Sequence, residues 1–495
     1  MIVPILFVGH AGLGLLALGS AFLPEKWRRR ILLFLCLLGI GAGVAIAVLG
    51  VQGDTWRSTE LGDTAVIAGA ATALAWLVAV VVAALRGRAL SCALVGVAAA
   101  SLTIAATSRW MVPVLLFWVC SSVALAGLAA RGERPAPIWI ALFLSDACLI
   151  AALVGVWVDE RTWTLPTELD GWTLYVLLAA AAIRGGAIPA LGVWGSLSGA
   201  AAPAAPLLTG GAFTLLPIAL GPGAPWAAAV LFALAIGAAL WALSGSELSI
   251  PAGAAAPLAL LLGAVVVAPD GLVAGGLAVV FTASVLALWR VAWGLGGADR
   301  SVALTALPPW VGFTAIAGGA GAAIEELAAA RDVIDKVPWT LVVILGPAAL
   351  AASVAVAARA SLGAASLARW LPVLRRGRPN AIALLASRVV LVAGLAAGMV
   401  PGEWLGIDSD FAGWLPRRTI LFGAAILLGL GAAWLTSRRI RFFEPQPISL
   451  DWTAPAPQPD STGAKILVWA TLALAVGAIG TVGWFTFEGL RLGFL

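Results

Sequence analysis

Charge is what this chain has least of. Only 11% of its 495 residues are Asp, Glu, Lys or Arg, against roughly 25% in an ordinary soluble domain. A water-soluble globular protein is thereby excluded. Lysine is nearly missing: Lys26, Lys336 and Lys465 are the only three, each in a link or at the edge of an apolar run. A buried series of lysines passing protons by shifted pKa is therefore unavailable. Histidine occurs once, at His10, and the four cysteines, Cys36, Cys92, Cys120 and Cys148, all lie inside apolar runs with no CxxC spacing. No metal centre, cofactor or disulfide scaffold is expected, and the thiols read as packed side chains. The net charge of +5 is scattered over links rather than gathered in a groove with stacking aromatics. Nucleic acid is not an expected partner.

What is present is apolar. Hydrophobic residues make up 62% of the chain, and its mean hydropathy is +1.05. Apolar windows of roughly 20 residues, the length that spans a bilayer, recur along it and give about sixteen candidate spans. They cover residues 2–22, 31–51, 65–85, 89–107, 110–130, 137–158, 172–191, 204–220, 226–243, 252–268, 272–295, 302–323, 339–358, 381–400, 417–435 and 466–487. In lipid the backbone must satisfy itself, and these runs are too long and too uniformly apolar for barrel strands. An all-α, polytopic helical membrane protein of about 14–16 transmembrane helices is predicted.

The links alternate in charge. Basic links carry Lys26 and Arg28–Arg30, Arg86 and Arg88, Arg131 and Arg134, Arg290 and Arg300, Arg359 to Arg378, and Arg438 to Arg441. Acidic ones carry Asp54 to Asp63, Asp159 to Asp170, Glu325 to Asp335, and Glu403 to Asp410. The positive-inside rule assigns the first set to the cytoplasm, which puts both termini on the outer side of a bacterial inner membrane. The first span then reads as retained rather than cleaved. Three parts follow: a transmembrane domain over 1–436, a proline-rich cytoplasmic linker over 437–463, and a C-terminal transmembrane helix over 464–495.

Ionisable groups deep in a span are costly and are the default functional candidates. Asp146 falls near the middle of the sixth span, and Arg184 falls beyond the middle of the seventh. If these helices pack antiparallel, the opposite charges offset much of each other's burial. Gly185 and Gly186 would permit close helix approach, and Pro189 would break the hydrogen-bond ladder and free carbonyls toward a polar cavity. Such a pair serves either as a static interhelical tie or as part of an ion pathway. His10 lies in the first span without an acidic neighbour and reads as a packed neutral imidazole before a proton relay. Glu247 reads as an interfacial charge at the end of the ninth span. Tryptophans near span ends, among them Trp27, Trp110, Trp163, Trp172 and Trp339, form anchoring belts.

The stretch Ala180 to Leu220, AAAIRGGAIPALGVWGSLSGAAAPAAPLLTGGAFTLLPIAL, resembles the signature of the antiporter-like subunits of respiratory complex I and of the Mrp sodium/proton antiporters. An ungapped alignment puts Arg184 at the family's lysine, Pro189 at its helix-breaking proline, Pro203 at the second proline of its P-x-P, and Thr209 at its eighth-helix histidine; Trp194 is displaced by one. Upstream, LLFWVCSSVALAGL resembles the fifth-helix pattern, with Trp118 matched and Val119 where a glutamate belongs. Asp146 resembles the Asp of the family's sixth-helix Gly-Asp. The resemblance implies broken helices in an inverted repeat, for which Pro308 and Pro309 mark a second candidate break. It also implies that the relay is dismantled, because an arginine keeps its proton where a lysine of tuned pKa would release it.

The expectation is a membrane subunit of a larger ion-translocating or energy-converting complex, surrounded by lipid and other membrane subunits. Its role would be structural or one of altered ion traffic, with proton, sodium or bicarbonate as the ions to consider. Asp146, Arg184, Thr209, Glu247 and His10 are its ion-pathway candidates. Two alternatives stand beside it: the membrane partner subunit of a bacterial inorganic-carbon uptake system, and a stand-alone secondary transporter holding a small anion at Arg184.

Overall fold

The computed structural model describes residues 2–432 apart from 52–54, 57, 58, 61, 87, 88, 109, 133, 134, 162, 166–168, 170, 198, 217–223, 244–248, 269, 270, 294–310, 375–380 and 399–422. Glu247, Pro308, Pro309, the linker and the final span expected over 464–495 fall outside the described residues.

The fold is all-α and polytopic, as the apolar windows require. In order come α1 (Ile2–Gly19), α2 (Glu25–Val51), α3 (Asp63–Arg86), α4 (Ala89–Thr107), α5 (Met111–Ala129), α6 (Ala136–Glu160), α7 (Gly171–Gly185), α8 (Val193–Ser196), α9 (Ala204–Thr214), α10 (Pro225–Leu243), α11 (Ser249–Val267) and α12 (Leu272–Trp293). Then follow α13 (Val311–Ala329), α14 (Val333–Leu374), α15 (Ala381–Gly398) and α16 (Gly423–Ala432). Among the described residues seven helices are long and apolar enough to cross a membrane, or eight if the bent pair α7 and Pro189–Ser196 forms one span. A two-residue ladder, Thr55–Trp56 against Thr59–Glu60, ties the link between α2 and α3.

The largest departure from a window is at α14. The span expected over 339–358 lies inside the 42-residue α14, so Arg359 and Arg369, assigned above to a link, stand on continuous helix. At about 1.5 Å per residue that helix is roughly twice the thickness of a hydrocarbon core. Its apolar window, Lys336–Val356, covers only the first half.

Small residues set the packing. In lipid, helices associate through close van der Waals fit rather than through a hydrophobic drive. A Cβ on Gly69 of α3 would lie 2.5 Å from the backbone nitrogen of Ala47 on α2, and one on Gly96 of α4 would lie 2.6 Å from Cα of Gly14 on α1. The helix axes are therefore as near as backbones permit. At the centre, α9 is buried along its whole length, enclosed by α3, α4, α7 and α12. On the periphery, α2, α6 and α10 turn large apolar side chains outward, among them Phe34, Phe143 and Val230.

Candidate functional site

The site begins with how α7 stops. Gly186 follows the helix at φ +75°, a left-handed conformation that suits glycine. Its N–H donates to the carbonyl of Ile183 at 3.1 Å, and the N–H of Ala187 donates to Ala182 at 2.9 Å. That pairing is a Schellman cap, which satisfies two carbonyls that a helix end leaves open. The Gly186 carbonyl accepts the indole N–H of Trp194 at 3.0 Å. Pro189 comes after the break and opens a short 3-10 turn, Pro189–Leu191, and the chain bends by 47°. The break sits where expected, but glycine and tryptophan shape it, and the carbonyls of Ala182, Ile183 and Gly186 are capped rather than free.

The cap leaves Arg184 in the last turn of α7, where a cation is favoured by the helix dipole. Its side chain is fully buried. Nη1 donates to Oγ of Ser122 at 2.7 Å, and Nη2 donates to Oγ of Ser121. Cζ of the guanidinium lies 3.7 Å from the centroid of the Trp118 ring, a cation–π contact strengthened by burial. Nε has no hydrogen-bond partner among the described residues and faces Gly211 of α9, where a Cβ would stand 2.9 Å from it.

Asp146 of α6 completes the arrangement. Its Oδ1 lies 3.5 Å from Nη1 of Arg184, too far for a direct hydrogen bond. Ser122 closes that gap: it accepts from Arg184 and donates to the same Oδ1 at 2.8 Å. The buried indole Nε1 of Trp118 has no hydrogen-bond partner among the described residues. One residue earlier, the Ser145 hydroxyl donates to the Ala180 carbonyl at 2.9 Å and fixes α6 against α7 at this level. The pair is lopsided: the Arg184 side chain is 0% exposed and that of Asp146 is 18%.

The structure places Asp146 and Arg184 side by side, and Gly185 gives close approach, since a Cβ there would lie 3.1 Å from Leu258 and 3.2 Å from Ala212. Sequence reasoning missed the groups that hold them. Trp118, Ser121 and Ser122 stand at i, i+3 and i+4 on α5, one helical face, and two adjacent serines in an apolar span with that spacing were a usable signal. Gly211 carried none.

The remaining candidates sit apart. The Thr209 hydroxyl donates to carbonyls of its own helix, Ala205 at 3.0 Å and Pro206 at 3.2 Å. Pro203 precedes α9 as its N-cap residue and breaks no helix. His10 is buried; its Nδ1 accepts the Trp76 indole N–H at 3.3 Å, while Nε2 has no partner among the described residues. The Cys36 and Cys92 thiols are in contact at 3.8 Å, buried and unbridged.

No family profile and no curated protein matches this sequence. Solved structures do match in fold. A chain of the Mrp complex from a Dietzia species superposes with a TM-score of 0.64 at 16% identity, covering 100% of this chain and 60% of that one. A chain of respiratory complex I from Thermus thermophilus, with bound aureothin, superposes with a TM-score of 0.55 at 19% identity, covering 82% of this chain and 98% of that one. This chain thus spans about 60% of the length of its Mrp neighbour. It has the fold of membrane subunits from such complexes.

Proposed function

We propose that this protein is an antiporter-like membrane subunit of a larger ion-translocating or energy-converting complex, in which the usual proton relay is replaced by a fixed charge pair. The observation that carries this reading is Arg184. It occupies the position that the resemblance gives to a lysine, in the last turn before a broken helix, with both Nη groups bonded to serines and Asp146 beside it. A guanidinium in that setting keeps its proton. It can hold helices and shape the local field, but it cannot hand a proton on.

The fold neighbours come from multi-subunit membrane complexes, which favours companion subunits over a stand-alone carrier. An anion carrier at Arg184 is further disfavoured by geometry, because serines and a carboxylate engage both Nη groups and Trp118 covers one face. The test is reconstitution of the purified assembly in proteoliposomes with pH-sensitive and sodium-sensitive dyes. On this reading Asp146→Asn leaves any ion flux of the assembly within a factor of two per assembled unit. A greater than tenfold loss of flux in fully assembled Asp146→Asn complexes overturns it and restores a relay through the pair.

A further inference from the structure

We infer that the outer face of α6 is a lateral contact for another membrane chain, one that brings a hydrogen-bond donor opposite Asp146. The inference deepens the subunit reading above and rests on it. Ile140, Phe143, Ile150, Val154 and Val158 form an exposed arc along α6. Asp146 stands at the margin of that arc, three residues after Phe143 and four before Ile150, so the three are neighbours on the helix surface. The Asp146 side chain is 18% exposed, while the Arg184 side chain it balances is fully buried.

That asymmetry selects the occupant. Acyl chains have no donor to offer, and a carboxylate left open at hydrocarbon depth is costly, so residues of this kind face protein or water. Arg184 and Ser122 engage one oxygen, Oδ1, from the inside. A transmembrane helix from a different chain, apolar where it meets Phe143 and Ile150 and carrying a hydroxyl, amide or ammonium at the level between them, covers both the apolar arc and the open carboxylate. The exposed face of α2, with Phe34, Leu37, Val44 and Val48, has no such charge and serves as the internal comparison.

The experiment places a photoreactive amino acid at Phe143, Ile150 or Phe34 in the full chain, expressed with its companions in native membranes. The result expected is a covalent adduct with a different membrane polypeptide from positions 143 and 150. Asp146→Ala should lower that adduct yield at least fivefold. Because Asp146→Ala can impair folding, Val154→Trp provides the second variant: added bulk on the arc should lower co-purification of the same polypeptide at least threefold while the chain itself accumulates normally. Adducts with lipid alone, adducts with a second copy of this chain, or yields unchanged by both variants overturn the inference. A companion that co-purifies but never cross-links from α6 defeats this inference and spares the subunit reading, whereas the absence of any companion defeats the subunit reading.

Discussion

A Cβ placed on Gly211 would stand 2.9 Å from Nε of Arg184, so the bare backbone of α9 is the floor on which the guanidinium rests. Gly211→Ala should destabilise the protein by about 1–3 kcal/mol, because the arginine must leave its rotamer or α9 must shift. Gly237 on α10 is the control, with nothing within 4 Å of a Cβ. Gly237→Ala should be neutral or gain up to about 1 kcal/mol through helix propensity. Chemical unfolding in detergent micelles measures both.

Removing one charge should be worse than removing two. Asp146→Asn strands a buried cation and should cost about 3–5 kcal/mol, whereas replacing Asp146 and Arg184 together with leucine should be neutral or stabilising. A double-mutant cycle in unfolding free energy reads the coupling, and additive losses would show that the two residues are independent.

Ser122 has two jobs and should show both. Ser122→Ala removes the acceptor for Nη1 and the donor to Asp146, and should cost about 1–3 kcal/mol because the buried groups it served lose a partner. Ser122→Thr keeps the hydroxyl and should recover most of that loss. Thermal unfolding followed by intrinsic fluorescence, which the nearby Trp118 also reports, distinguishes them.

At the bend, glycine should matter more than proline. Gly186→Ala meets a φ of +75° and would put its Cβ 2.9 Å from Nε1 of Trp194; a non-glycine residue in such a region costs on the order of 1–3 kcal/mol. Pro189→Ala removes a ring from a 3-10 turn that lies beyond the cap and should change stability by about 1 kcal/mol or less. If Pro189→Ala proved the more damaging of the two in unfolding experiments, the cap would not be what holds the bend.

How much of this was legible beforehand differs by level. Spans follow from composition alone, since bilayer thickness fixes the length of an apolar run. Asp146 and Arg184 were found because a charge in such a run is rare and the runs are adjacent. Their surroundings were harder to read. A serine in an apolar helix reads as neutral until its face is known, and Gly211 is one small residue among many in a glycine-rich chain. Helix length was misjudged at α14, where Arg359 and Arg369 look like a link by charge although the backbone continues as helix. Charge reports depth in the membrane and is silent about where a helix stops.

The arginine also has a mechanical meaning. It leaves α7 and is gripped by two hydroxyls and an indole on α5 and by a carboxylate on α6, so it rivets three helices at one level. Sliding any of them by a helical turn, about 5.4 Å, would tear every one of those contacts. α5, α6 and α7 are therefore fastened to one another at that level, as a bolt passed through three plates holds all of them.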